Sequence, residues 1–190
     1  MKGYLKMIKG DSIEYDLLAK WANFDCKGDY SCEIGVRDGM GSKIIMDNIK
    51  NNYIHIGVDP YANLNYQHYD TSSSYTADYT DEMRDTMLND LKPYRNAGKF
   101  HLANMTDTLF MCHFDYNEKK YAFVHFDGPH MTRDVITEAV WFANRSSDNA
   151  RFVFDDYRTY GMDIVAHLLT YFKFKTIEAG KNKICLEKNA

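Results

Sequence analysis

Short apolar runs alternate along this 190-residue chain with segments whose apolar residues recur at helical spacing. Runs rich in β-branched and aromatic residues predict strands, whereas apolar residues every three or four positions predict helices. The predicted strands are 31–36, 53–58, 100–103, 121–126, 151–154, 172–179 and 183–187. The predicted helices are 13–24, 43–50, 80–94, 106–114, 133–144 and 162–171. This order favours βαβ units and therefore a mostly parallel sheet.

Local sequence features indicate how these elements begin and connect. Asp11 or Ser12 is the expected cap of the first helix, and Thr80 is the expected cap of the third. A hairpin turn at 180–182 separates the last two strands and adds one antiparallel strand to the sheet. Residues 60–79 form a long polar loop, of a kind that is usually functional. Since no repeat or linker divides the chain, residues 1–190 are expected to form one domain.

Acidic side chains stand at or near the ends of most predicted strands. These residues are Glu33, Asp59, Asp127 and the pair Asp155-Asp156, with Asn104 at the end of the third strand. Because ligands bind outside the carboxyl ends of parallel strands, these side chains are expected in one crevice. Clustered carboxylates repel each other, and their hard oxygen atoms suit Mg²⁺, Mn²⁺ or Ca²⁺. A bound divalent cation is therefore one hypothesis for this crevice.

Each of these acids also has a purely structural interpretation. Gly128-Pro129 is typical of a turn, so Asp127 alone also fits a turn or helix-cap acid. Asp155 and Asp156 alone also fit a cap for the following helix. The two elements together, in the order that a metal site needs, favour the metal hypothesis.

A glycine-rich turn, Gly35-Val36-Arg37-Asp38-Gly39-Met40-Gly41, follows the first predicted strand. Glycine lets a ligand touch the backbone and tolerates positive φ. The next strand ends at Asp59, and an acid at that place suggests binding of ribose hydroxyls. The spacing differs from the nicotinamide fingerprint Gly-x-Gly-x-x-Gly, and Gly41-Ser42-Lys43 has the wrong order for a P-loop. The turn therefore indicates a different nucleoside-containing ligand.

Composition narrows the range of partners and locations. The net charge of -4 argues against a broad nucleic-acid-binding surface. No apolar run approaches the roughly 18 residues that span a bilayer, and the first residues lack the apolar core of a signal peptide. No cysteine pair has Cys-x-x-Cys spacing, and Cys32 and Cys185 are expected in the core. A reduced, cytoplasmic location is expected.

The segment from Glu33 to Ser42 resembles the first motif of class I S-adenosylmethionine-dependent methyltransferases, although Gly41 stands where that motif has Ser. Residues 57–61 are similar to the ribose-binding second motif. Segments 126–130 and 154–157 resemble those of macrocin- and catechol-type O-methyltransferases, many of which are Mg²⁺-dependent. The resemblance implies an α/β fold, a Rossmann-like three-layer sandwich whose seven-stranded, mostly parallel sheet has an antiparallel C-terminal strand.

The resemblance also implies roles for the matching residues. The expected cofactor-binding set is Glu33, Gly35, Arg37, Gly39, Gly41, Ser42, Asp59, Met105, Thr106 and Asp127. The glycine turn would hold the methionine part above Glu33, Asp59 would bind the ribose, and Met105-Thr106 would contact adenine. The expected metal ligands are Asp127, Asp155 and Asp156, whose ion would lower the pKa of the substrate oxygen. The expected catalytic residues are His130, as general base, and Asp127; a histidine near the start of a helix, without a catalytic role, is the alternative for His130.

The leading functional hypothesis is S-adenosylmethionine-dependent O-methylation of a small hydroxylated molecule, such as a sugar or polyphenol, assisted by Mg²⁺ or another divalent cation. One alternative is a metal-independent methyltransferase that acts on nitrogen or on a protein side chain. Another is a non-catalytic S-adenosylmethionine-binding module. The helix at 13–24 and the loop at 61–79 are expected to wall the substrate side. Neither nucleic acid nor membrane is an expected partner, and a homodimer is left open.

Overall fold

The computed structural model describes residues 8, 10, 12–50, 52–61, 79–113 and 120–190. Its strands are β1 (Tyr30–Ile34), β2 (Ile54–Val58), β3 (Phe100–Ala103), β4 (Tyr121–Phe126), β5 (Ser146–Phe154), β6 (Phe174–Ala179) and β7 (Ile184–Lys188). Each of the seven predicted strands is present, and β5 begins five residues earlier than predicted. Most of the predicted loop at 60–79 lies outside the described residues.

The seven strands form one sheet in the order β3-β2-β1-β4-β5-β7-β6. The first five strands along the chain pair in parallel, whereas β7 pairs antiparallel with both β5 and β6. The predicted α/β fold, with its mostly parallel sheet and antiparallel C-terminal strand, is confirmed. The structure adds that β7 lies inside the sheet, where its first residue, Ile184, pairs with Phe154 at the end of β5.

The helices are α1 (Tyr15–Ala22), α2 (Met40–Asn48), α3 (Asp81–Asp90), α4 (Lys92–Asn96), α5 (Asp107–His113), α6 (Thr132–Asn144) and α7 (Asp163–Leu169), followed by a 3₁₀ turn at Thr170–Phe172. Thr80 caps α3 as predicted, because its hydroxyl accepts a hydrogen bond from the Met83 amide at 3.1 Å. The predicted helix at 80–94 is divided at Leu91. The reason is Pro93, which has no N–H to continue the helical hydrogen bonds.

The predicted cap of the first helix is wrong for Ser12. The cap position belongs to Glu14, which has a left-handed φ of 60° and provides no side-chain cap. Ser12 is instead used elsewhere, since its hydroxyl donates to Asp155 Oδ2 at 2.6 Å. Asp11, the other candidate, lies outside the described residues.

Two faces of the sheet are covered because alternate strand residues point to opposite sides. On one face, Phe126 and Phe152 pack with Phe142 of α6 and Val165 of α7. On the other, Phe123, Val153 and Cys185 pack with α1 and α2. The third apolar cluster joins α3 to the sheet edge around Phe100. This is the three-layer arrangement that was expected, and it leaves the strand ends open for a ligand. Across the described ranges, every helix is too short or too polar to cross a membrane.

Candidate active site

The turn after β1 has a geometry that only glycine permits. Gly35 has a φ of +84°, and a Cβ there would lie 2.1 Å from the backbone oxygen of Asp127 at the end of β4. A Cβ on Gly41 would lie 2.0 Å from Glu33 Oε1. Side chains are therefore excluded where the turn passes over Glu33, which lies beneath it as predicted. The result is a cradle of exposed backbone above a buried carboxylate.

Glu33 belongs to a buried polar network that crosses β2, β1 and β4. Its Oε2 accepts a hydrogen bond from Ser42 Oγ at 2.5 Å, and its Oε1 lies 2.8 Å from His125 Nδ1. His55 Nε2 lies 3.0 Å from the same Ser42 hydroxyl. Burial, and then the charge of His125, lower the pKa of His55 to about 3, so His55 is neutral at physiological pH. This network holds Glu33 in place, and Ser42 takes part in it through its hydroxyl group.

Asp59 stands at the end of β2 with one half of its carboxylate occupied. Its Oδ2 accepts hydrogen bonds from the Val36 and Arg37 amides, both at 2.9 Å, which ties the acid to the glycine turn. Its Oδ1 is buried and has no hydrogen-bond partner within the described part of the chain. Burial, partly offset by the two amides, raises the pKa of Asp59 to about 6. A buried, unpartnered acceptor beside a backbone cradle fits a ligand hydroxyl.

Asp155 is the best-bonded acid at the strand ends. Its Oδ2 accepts from Ser12 Oγ at 2.6 Å and lies 2.7 Å from Lys183 Nζ. Its Oδ1 accepts from the Asp156 amide at 2.9 Å and from Asn182 Nδ2 at 2.8 Å. Burial alone would raise its pKa, but the Lys183 ammonium, together with His125 and a hydrogen bond with Asp127, outweighs this effect and holds the pKa of Asp155 below its ordinary value. Asp155 is therefore ionised at physiological pH.

Asp127 has the opposite electrostatic position. Its pKa lies well above the ordinary range, first because the carboxyl is removed from water and second because the ionised Asp155 is close by. Two neighbouring carboxyl groups thus titrate far apart, as is common in functional sites.

The predicted set of metal ligands, Asp127, Asp155 and Asp156, lies around one pocket. However, the Asp155 carboxylate already accepts hydrogen bonds from Ser12, the Asp156 amide and Asn182, and it is paired with Lys183. In the described ranges, the group of potential ligands whose atoms lie within 4.8 Å of one another is Glu33, His125 and Asp127, a different set. The contacts of Asp155 therefore do not fit a divalent ion bound by that residue.

His130 follows β4 and faces both remaining acids. Its Nε2 lies 3.7 Å from Asp127 Oδ1 and 3.9 Å from Asp156 Oδ2. Its ring stacks on Tyr160 with 5.0 Å between centroids and an interplanar angle of 7°. His130 has a left-handed φ of 49°, which turns the chain there. The stacking contact holds the ring in one orientation at the pocket wall, which a general base requires. The catalytic role of His130 stays a prediction.

One cavity of about 510 Å³ brings most of the predicted site residues together. Its lining includes Glu33, Gly35, Arg37, Gly41, Asp59, Thr106, Asp127, His130, Asp155 and Asp156. Gly39 and Ser42 are buried and do not line the cavity, and Met105 packs against the core. Asp107, which was not predicted, stands beside Thr106 in the wall. The volume is within the range of small-molecule sites.

Of the residues expected to wall the substrate side, Ile13, Tyr15 and Tyr79 line the cavity, and Ser12 lines it as well. Residues 62–78 lie outside the described part of the chain.

Four residues of the site were not predicted from the sequence: Lys183, Ser12, Asn182 and His125. Lys183 carries a signal that can be noticed: it is a lysine at the start of the apolar run Ile184-Cys185-Leu186. Ser12 and Asn182 carry none, since both are ordinary turn residues.

Comparison with known proteins agrees with this geometry. Residues 32–157 match a family described as a methyltransferase domain. The chain belongs to this methyltransferase family. The matched segment begins in β1 and ends after Asp155-Asp156, so it contains the glycine turn, Asp59 and His130. A search of the curated proteins finds no match for this methyltransferase.

Solved structures share its fold. TomG from Streptomyces achromogenes, an O-methyltransferase involved in tomaymycin synthesis and solved in complex with SAM, is 12% identical with a TM-score of 0.68, over 96% of this chain and 82% of TomG. The O-methyltransferase NovP is 13% identical with a TM-score of 0.67, over 93% of this chain and 79% of NovP. An O-methyltransferase from Bacillus cereus in complex with SAH is 10% identical with a TM-score of 0.63, over 97% and 84% of the two chains. At these identities the comparison establishes the fold of this methyltransferase.

Proposed function

We propose that this methyltransferase transfers the methyl group of S-adenosylmethionine to a hydroxyl group of a small molecule. The observation that carries the proposal is one cavity with two unlike walls. One wall is the glycine cradle with the unpartnered Asp59 Oδ1, and the other presents the His130 imidazole beside Asp127. The SAM- and SAH-bound O-methyltransferases that share its fold support the choice of cofactor and acceptor atom.

The first wall fits the cofactor. Gly35 and Gly41 leave backbone exposed where the amino-acid part of the cofactor would lie, above Glu33. Asp59 Oδ1 can accept hydrogen bonds from the ribose hydroxyls, and this would remove the cost of burying an unpartnered acceptor. Thr106 and Asp107 line the same cavity and are the candidates for contacts to the adenine. When bound, S-adenosylmethionine supplies a methyl group activated by its positively charged sulfur.

The second wall fits an acceptor hydroxyl. His130 is proposed to take the hydroxyl proton on Nε2, because an imidazole can accept a proton near neutral pH. The carboxyl group of Asp156, 3.9 Å away, would stabilise the imidazolium that forms. The site otherwise acts by holding the hydroxyl in line with the methyl group and by excluding water. No step of this proposal uses a metal ion.

The rest of the cavity lining suggests the kind of acceptor. Ile13, Tyr15 and Tyr79 present apolar and aromatic surface to the cavity, whereas Ser12 and Asn182 are polar. Such a mixed wall fits a ring that carries hydroxyl groups, as in a sugar or a polyphenol. The net charge of -4 makes a nucleic acid a poor electrostatic match.

The proposal is tested by calorimetry with S-adenosylmethionine, followed by methyl transfer from radiolabelled cofactor to panels of monosaccharides, catechols, amines and protein side-chain mimics. We expect cofactor binding and label transfer to a hydroxylated compound. Transfer only to an amine or to a side-chain mimic would overturn the O-methylation proposal. Absence of cofactor binding would overturn the function as a whole.

A further inference from the structure

The side chain of Lys183 reaches into the acid cluster. It is completely buried, and its Nζ lies 2.7 Å from Asp155 Oδ2 and donates to Ser12 Oγ at 2.9 Å. The Tyr15 ring is 5.8 Å from the same ammonium. A buried ammonium is tolerated only when it is paired and hydrogen-bonded, so these contacts define its position.

The backbone at Lys183 is fixed by the pairing of β7 with β5 and by Glu14. Lys183 precedes β7, whose antiparallel direction brings Ile184 beside Phe154, one residue before Asp155. The Glu14 carboxylate accepts hydrogen bonds from three successive amides of this turn, those of Lys181, Asn182 and Lys183, at 2.7, 2.9 and 3.0 Å. The turn, the segment before α1 and the end of β5 are thereby held together around the ammonium.

We propose that Lys183 supplies, as part of the chain, the positive charge that a divalent ion would otherwise provide at Asp155, and that methyl transfer by this protein is therefore independent of divalent metal ions. The second half rests on the proposed function. Lys183 is a positioning residue, because it acts through Asp155 and not on the substrate. Lys183 pairs with Asp155 Oδ2, while Ser12, the Asp156 amide and Asn182 donate hydrogen bonds to the same carboxylate.

The first experiment measures metal binding directly and needs no turnover. Mn²⁺ is titrated into the wild-type protein and followed by electron paramagnetic resonance. We expect no Mn²⁺ site with a dissociation constant below about 1 mM, a value at the weak end of divalent-ion sites in proteins. A tighter site that Asp156→Ala abolishes would overturn the proposal, whatever the activity of the protein.

The second experiment removes the ammonium. Lys183→Met keeps the length of the side chain but frees Asp155 Oδ2, so we expect the variant to gain a Mn²⁺ signal that the wild type lacks. The matched control is Lys181→Met, two residues earlier in the same turn, whose side chain is exposed. This control is expected to behave like the wild type. A folded Lys183→Met protein without any gain in Mn²⁺ binding would count against the proposal.

The third experiment uses activity. Wild-type methyl transfer is expected to be unchanged by EDTA, whereas Lys183→Met is expected to lose about tenfold to a hundredfold in rate, less than a direct transition-state donor would cost, and to recover in part with Mg²⁺. Loss of wild-type activity in EDTA, restored by Mg²⁺, would overturn the proposal. If Lys183→Met does not fold, the wild-type titration and the EDTA assay still decide. If the wild type binds no S-adenosylmethionine, the proposed function fails, and the Mn²⁺ titration judges the role of Lys183 separately.

Discussion

The cofactor wall and the acceptor wall of the cavity are built in different ways. The cofactor wall consists of a continuous turn, residues 35–41, and of Asp59 from the adjacent strand, and most of its proposed contacts are made by backbone. The acceptor wall consists of side chains from distant places in the chain, Ser12, His130 and Asp155, and the buried Lys183 pairs with Asp155. The first wall therefore depends on shape and the second on protonation. Substitutions should separate the two.

The largest effect is expected at the acceptor wall, in the rate. His130→Ala should lower kcat by about a hundredfold to ten-thousandfold, because the proton of the acceptor hydroxyl loses its base. The affinity for S-adenosylmethionine, measured by calorimetry, should stay within about twofold of the wild type, because His130 is proposed to accept a proton and not to contact the cofactor. His101→Ala, an exposed histidine on β3, is the control. Equal rates for His130→Ala and the control would remove His130 from the mechanism.

The next effect tests the shape of the cofactor wall. Gly35→Ala should lower the free energy of unfolding by about 3 kcal/mol or more, because left-handed strain of about 1–2 kcal/mol adds to a clash with backbone. Gly98→Ala is a matched control: its φ is +67°, but a Cβ there meets nothing within 4 Å. It should cost only the strain. Urea denaturation measures both, and equal losses would contradict the tight contact between the turn and β4.

A smaller effect is expected at Asp59, the acid of the cofactor wall. Asp59→Ala should weaken S-adenosylmethionine binding by about tenfold to a hundredfold, the range for hydrogen bonds to a charged group. The rate at saturating cofactor should change much less. A fall in kcat without a change in affinity would show that Asp59 belongs to the acceptor wall instead.

The smallest effect is a dependence of cofactor affinity on pH. Ribose hydroxyls donate to the ionised carboxylate, so protonation of Asp59, whose pKa is about 6, should weaken binding as the pH falls, by about tenfold at pH 5. Asp59→Asn should abolish most of this dependence in calorimetry between pH 5 and 7.5. An unchanged pH profile in Asp59→Asn would assign the effect to another group.

The same group should affect stability with the opposite sign. The folded pKa of about 6 exceeds the ordinary value of 3.8, so the neutral carboxyl stabilises the fold at low pH, and this contribution is lost as the pH rises from 3.8 through 6. The two effects have opposite signs because a ligand hydroxyl needs the ionised carboxylate, whereas burial in the folded protein favours the neutral carboxyl.

Local patterns predicted the elements well where the signal was itself local. Phe100–Ala103 and Tyr121–Phe126 match their predicted bounds, and Thr80 caps its helix. The predictions were wrong where a distant partner decided the outcome. Ser12 was expected to cap α1 but bonds to Asp155, 143 residues away. The helix predicted at 80–94 is divided before Pro93. Here the deciding signal was local, but the prediction followed the spacing of the apolar residues instead of the proline.

The site shows the same division. Glu33, Gly35, Gly41 and Asp59 were recognisable because they match motifs within two adjacent βα units, and the structure places each of them in the lining of the cavity. The need for positive charge near the acids was also recognisable from repulsion between carboxylates. The source of that charge was not, because a hairpin in the sequence does not show which of its strands lies next to β5.

The sequence by itself determined the alternation of strands and helices, the glycine turn, and the set of acids at the strand ends, since these depend on residue types at short spacings. Only the tertiary structure decided that β7 enters the sheet beside β5 in the antiparallel direction. That pairing brings Lys183, 28 residues after Asp155 in the chain, to within 2.7 Å of its carboxylate. Electrostatic partners are set by distance in space, and distance in space is set by the register of the sheet.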